Sequence, residues 1–182
     1  MKVEATELSE VLLITPNLFG DDRGWFLETW RRERYAEHGI GPDFVQANAS
    51  CSSRGVLRGL HYQWPEPQGK LVWVSAGKVF DVAVDLRPAS PDFGRWTAIE
   101  LDGEQHQQLW IPEGFAHGFQ VLSEQATFNY LCTRSYRSDC DAAVAWDDPD
   151  IGIPWPLKPA GLSGKDRAAP RLATIALERL PT

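Results

Sequence analysis

A chain of 182 residues with 43% apolar and 24% charged side chains has the composition of an ordinary soluble domain, long enough to bury a substantial core. Its formal net charge of -7 leaves no bulk attraction to nucleic acid or to an anionic membrane, so an anionic ligand must be met by a few placed arginines and lysines. Cys51, Cys132 and Cys140, an odd number without CxxC spacing, argue against a disulfide framework and a thiolate zinc site. No apolar run approaches the ~20 residues that span a bilayer, and the acidic MKVEATELSEVLL is unlike a secretory signal, so a cytoplasmic protein with reduced thiols is expected.

In chain order, LETWRRERYAEHG predicts a helix over 27–39, with Gly39 as its stop. KLVWVSAGKVFDVAVDLRP predicts two strands, 70–75 and 79–86, joined by a short Ala-Gly turn, with Val79, Val82 and Val84 as β-branched markers. WTAIELD, QHQQLWIP, FAHGFQVLS and ATFNYLCTRSY continue as short strands with Gly, Pro or Asp-Gly between them. Evenly spaced short strands with scarce helical pattern predict an all-β antiparallel sandwich or jelly roll with a few short peripheral helices. DPDIGIPWPLKPAGLSGKD is proline-rich and irregular, with Pro154 and Pro156 bracketing Trp155; it is expected to drape over a sheet, where it could close one end of a barrel. Without an internal repeat or a Gly/Ser linker, residues 1–182 are expected to form one domain.

RGLHYQ sets His61, one of only four histidines, between Leu60 and Tyr62. A metal-binding jelly roll would carry two histidines in HxH spacing with a carboxylate and a later histidine; here Tyr62 and Gln63 follow His61, and His117 could supply only the distant ligand, so no metal is expected. His61 can be a satisfied strand histidine or an acid/base group, since an unperturbed imidazole titrates near ~6.5. Arg58 and Lys70 flank the same segment and favour a site for an anion or a developing oxyanion. The imidazole would need an orienting carboxylate, and sequence does not single one out among 25 acids. In LWIPEGFAHGFQVLS, Phe115, Phe119 and Val121 read as core, while Gly118 beside His117 would permit close approach of a ligand. Tyr130 alternates with Phe128 on one face and is either a structural phenol or a general acid.

Taken together, DDRGWFLETW, FVQANAS, GVLRGLHYQ, QGKLVWVSAGKVFDVAVDLRPASPDFGRW, LWIPEGFAHGFQVLS, WDDPDIGIPWP and LSGKD resemble the dTDP-4-dehydrorhamnose 3,5-epimerases of nucleotide-sugar and rhamnose biosynthesis, over nearly the whole chain. The resemblance implies a cupin-like jelly roll without metal or cofactor, a homodimer, and inversion of C3 and C5 of dTDP-4-dehydro-6-deoxy-D-glucose to give dTDP-4-dehydro-L-rhamnose. It implies that His61 is the proton-abstracting base, Asp166 its paired carboxylate and Tyr130 the general acid, with Lys70 and His117 beside the enolate oxygen at C4. Arg58 matches a diphosphate contact; Arg23, Glu28, Gln46 and Asn48 fall on nucleotide-binding positions, and Asp141 and Lys165 on two further substrate contacts, some of them reaching across from a partner subunit. The chain departs from the family at Ala47 and Ala49, where FVQDNHS is common, and at Asp141, where a longer Glu is common. A mono-epimerase or ketoisomerase of a dTDP-deoxysugar pathway and a non-catalytic sugar-nucleotide binding module are the alternatives; Tyr130 argues against the first, and the His61 and Asp166 pair against the second.

Overall fold

The computed structural model describes residues 1–41 and 43–182. The elements are β1 (Lys2–Ala5), β2 (Leu12–Thr15), β3 (Leu18–Asp21), β4 (Gly24–Leu27), α1 (Arg32–Ala36), β5 (Gln46–Ser53), β6 (Leu57–Gln63), β7 (Lys70–Ala76), β8 (Lys78–Asp85), β9 (Trp96–Asp102), β10 (Gln108–Ile111), β11 (Phe115–Val121), β12 (Gln125–Cys132), β13 (Asp141–Ala143) and α2 (Gly164–Arg167), followed by short 3-10 turns at Leu172–Thr174 and Leu177–Arg179. A six-stranded sheet in the order β1-β2-β10-β7-β12-β5 faces a five-stranded sheet in the order β13-β6-β11-β8-β9, and β3 and β4 form a separate hairpin. The strand pairs are antiparallel, which makes this a cupin-like jelly roll.

The Ala-Gly turn after β7 is a corner between sheets. Gly77 lies at φ 81°, and a Cβ there would stand 2.1 Å from the Gln125 carbonyl oxygen, so only glycine passes the chain from the six-stranded to the five-stranded sheet. Along β8, Val79 and Ala83 point between the sheets with Val72, Val74, Phe119 and Phe128, while Val82 and Val84 point outward against Leu60, Val144 and Ile151. Both faces of β8 are therefore buried, which is why its sequence reads as an almost continuous apolar run. Fully buried leucines such as Leu60 and Leu109 each contribute roughly 1.5–3 kcal/mol by leaving water.

Two segments cover the outer faces. The proline-rich C-terminal segment lies on the five-stranded sheet, with Trp155 edge-on to Phe80 at 5.9 Å and its indole N–H donating to the Trp146 carbonyl at 2.7 Å. Residues between β4 and β5 cover the six-stranded sheet, where Trp30, Tyr35, Ile40 and Phe44 pack with Leu71 and Trp110. The helix expected over 27–39 is accordingly only Arg32–Ala36. Leu27 still belongs to β4, and Arg31 is extended at φ -148°, ψ 123° without a side-chain cap, because the chain must run flat across the sheet before Tyr35 can bury its ring. Gly39 does stop it, at φ 72° with Ile40 N–H donating to the Tyr35 carbonyl. The strand expected to run through Tyr136 ends at Cys132, where Thr133 turns its hydroxyl to accept from Gly69 N–H. Among the described residues no helix is long and apolar enough to cross a membrane.

Candidate active site

On β6, Leu60 and Tyr62 join the apolar layer outside the five-stranded sheet, so His61 between them points inward. It stands opposite His117 of β11 in the strand register. The two strands approach closely there: a Cβ on Gly59, at φ 132°, would lie 2.5 Å from Gly118 Cα, and one on Gly118 would lie 2.8 Å from the Arg58 carbonyl oxygen. Gly118 therefore admits the backbone of β6, not the ligand expected from the sequence.

His61 Nε2 stands 2.5 Å from Asp166 Oδ1; the imidazole is one-third exposed and the carboxylate 2% exposed. Asp166 arrives on α2, whose first turn is closed by reciprocal bonds: Asp166 N–H donates to Ser163 Oγ at 3.0 Å, and Ser163 N–H donates to Asp166 Oδ2 at 3.3 Å. Burial pushes the Asp166 carboxyl up, but the hydrogen bonds and charge from His61 and the donors at Ser163 outweigh it and hold the group below the usual carboxylate range.

Deeper in the barrel, His117 Nε2 meets Asp81 at 3.0 and 3.2 Å, and its ring stacks on Phe128 at 5.8 Å. Burial pulls the His117 imidazole down against the raising effect of Asp81, and pushes Asp81 up against His117 and Lys70. Burial also draws the Lys70 ammonium below its ordinary range, opposed by Cys132, Asp81 and Asp141. The Tyr130 phenol is pushed up by burial and by Cys132, with Arg58 opposing. The centre thus offers a proton acceptor with an ionised partner, a phenol that keeps its proton, and cationic and imidazole donors in a low-dielectric recess.

His61, Lys70, Tyr130, Gln46, Asn48 and Asp141 line one cavity of about 310 Å³. Gln46 donates to Asn48 at 3.0 Å, and Asp141 accepts from Lys165 at 2.5 Å and from the Tyr136 hydroxyl at 3.2 Å. Arg58 is exposed on β6, its guanidinium donating to Ser52 Oγ at 3.1 and 3.2 Å. Arg23 and Glu28 are not brought to this cavity within one chain: Arg23 pairs with Asp21 on the exposed β3–β4 hairpin, and Glu28 accepts from Arg34 at 2.8 Å. Sequence reasoning missed Asp81, Cys132 and Tyr136. The signal for Asp81 was its even spacing from Val79 and Ala83, which puts a carboxylate on the inner face of a buried strand; Cys132 follows from Tyr130 by the same parity. Tyr136 has the parity of Tyr130 in the strand expected through residue 136, but it lies beyond the end of β12 at Cys132, so the loop and not the strand brings it to the cavity.

A family model described as dTDP-4-dehydrorhamnose 3,5-epimerase matches residues 5–174. The chain is 49% identical over 165 residues, 89% of either protein, to the dTDP-4-dehydrorhamnose 3,5-epimerase of Methanothermobacter thermautotrophicus. It is 49% identical over 175 residues to that of Salmonella typhimurium, covering 94% of this chain and 96% of the relative. The crystal structure of dTDP-6-deoxy-D-glucose-3,5-epimerase from Legionella pneumophila, in complex with dTDP-4-keto-L-rhamnose, superposes with a TM-score of 0.96 at 49% identity, covering 99% of this chain and 97% of that one. With the jelly roll, the inward His61 and Asp166 pair and these likenesses together, the chain belongs to the dTDP-4-dehydrorhamnose 3,5-epimerase family.

Proposed function

We propose that the protein converts dTDP-4-dehydro-6-deoxy-D-glucose to dTDP-4-dehydro-L-rhamnose by removing and returning a proton at C3 and at C5. The C4 ketone acidifies the hydrogens on both neighbouring carbons. A base takes the proton, the C–H electron pair moves to the C4 oxygen as an enolate, and an acid returns a proton to the opposite face. Nothing is oxidised or reduced overall, so the reaction requires no redox cofactor.

The observation that carries this reading is the 2.5 Å contact between His61 and the buried Asp166 at the wall of a cavity that also holds Lys70 and Tyr130. With Nε2–H donating to the carboxylate, Nδ1 holds the lone pair that takes the proton. Lys70 and His117 stabilise the enolate oxygen, and Tyr130, kept protonated by its surroundings, supplies the proton on the far face. Arg58 meets the diphosphate, Gln46 and Asn48 the nucleoside, and Asp141 and Lys165 make two further substrate contacts. Tyr136, exposed at the cavity wall, offers an aromatic face for the base.

Residues 1–182 act as one epimerase domain in the cytoplasm, and two copies form the working unit, with Arg23 and Glu28 of one copy reaching the nucleotide of the other. Support for the dimer is the β3–β4 hairpin, whose Leu18, Phe19, Trp25 and Phe26 are all at least half exposed. Replacing His61 with alanine tests the catalytic assignment: turnover falls by roughly 10²–10⁴-fold, while dTDP binds as before. Loss of dTDP binding in His61→Ala would make His61 a structural residue.

A further inference from the structure

We propose that Ser163 is a positioning residue for the His61 and Asp166 pair. This rests on the reading of His61 as the general base oriented by Asp166. The two oxygens of Asp166 are divided between two partners: Oδ1 faces His61 Nε2 at 2.5 Å, and Oδ2 accepts from Ser163 N–H at 3.3 Å. The Ser163 hydroxyl meanwhile accepts from Asp166 N–H at 3.0 Å, so one residue grips both the backbone and the carboxylate of Asp166. The grip matters because α2 has only four residues, far too few to hold a helical turn in water without its cap and its neighbours. The other side-chain bonds of α2, Lys165 to Asp141 and Arg167 to the Leu162 carbonyl, lie on the residues either side and do not touch the Asp166 carboxylate. Ser163 is itself exposed, while Asp166 is buried, so what Ser163 contributes is hydrogen bonding and not packing. Removing the hydroxyl frees the Asp166 amide, loosens the turn, and lets the carboxylate drift from the imidazole nitrogen that it must hold in one tautomer.

The test compares Ser163→Ala, Ser163→Thr and Asp166→Asn in steady-state turnover and in dTDP binding by calorimetry. Ser163→Ala is expected to lower kcat roughly 10-fold, the lower end of what outer-sphere partners contribute, with KM and dTDP affinity within about two-fold of the parent. Ser163→Thr, which retains a hydroxyl at the cap, is expected to restore most of kcat. An unchanged kcat in Ser163→Ala beside a crippled Asp166→Asn overturns the role of Ser163 and leaves the general-base reading standing. Full turnover in Asp166→Asn would instead remove the reading on which this inference rests. Equal losses in Ser163→Ala and Ser163→Thr, or a parallel loss of dTDP binding, would mark Ser163 as a structural cap alone.

Discussion

At Asp166 two opposed influences meet. Burial at 2% exposure favours the neutral acid, and donors from His61 and Ser163 favour the carboxylate; the donors win, so the folded-state pKa lies below the unfolded value of ~3.9. A depressed carboxyl stabilises the fold above the unfolded pKa, and that contribution is lost as pH falls through the folded value. The stability advantage of the parent over Asp166→Asn, measured by urea denaturation, is therefore expected to shrink as pH falls below about 4; an advantage that persists undiminished to about pH 2 would contradict the assignment. Tyr130 has the opposite sign, since burial and Cys132 keep its phenol protonated beyond the ordinary range. Tyr130→Phe is expected to retain substrate hydrogen exchange while losing epimerised product, because abstraction by His61 survives and protonation on the far face does not. Equal loss of exchange and product would contradict that division of labour.

At the scale of elements, the close approach of β6 and β11 and the short α2 determine how well the site is held. Gly118→Ala would push a methyl to 2.8 Å from the Arg58 carbonyl oxygen, and the strain of forcing the strands apart is expected to cost about 1–3 kcal/mol, read as a lower urea midpoint. Gly164 is the reverse case: its Cβ would meet nothing within 4 Å, so Gly164→Ala in α2 is expected to stabilise the protein by about 0.4–1 kcal/mol without loss of turnover. The strands from β7 to β12 were legible in the sequence because β-branched and aromatic runs alternate with turn residues, but β5, rich in Ala, Ser and Asn, carries no such signal. The helix over 27–39 was overestimated because its charged and aromatic spacing suits a helix, while packing against Trp110 demands an extended run first. In the site, His61, Lys70, His117 and Tyr130 stood out locally on strands. Asp166 lies 105 residues from His61 in an irregular segment, and only the family resemblance pointed to it.

For the whole molecule, the hairpin carrying Arg23 leaves Phe26 68% exposed, an arrangement suited to burial against a second copy. Phe26→Asp is expected to halve the mass measured by light scattering and to weaken dTDP binding, because Arg23 and Glu28 would leave the neighbouring site; a parent that is already monomeric, or a Phe26→Asp variant that stays dimeric with full affinity, would contradict the shared site. The measurement that bears most directly on the proposed reaction is proton NMR of dTDP-4-dehydro-6-deoxy-D-glucose incubated with the protein in deuterated buffer, with a reductase to trap the product. Exchange at both C3 and C5, with product trapped as dTDP-L-rhamnose, is the expected result. Exchange at C3 alone would reduce the protein to a mono-epimerase, and exchange at neither carbon would contradict the proposed chemistry.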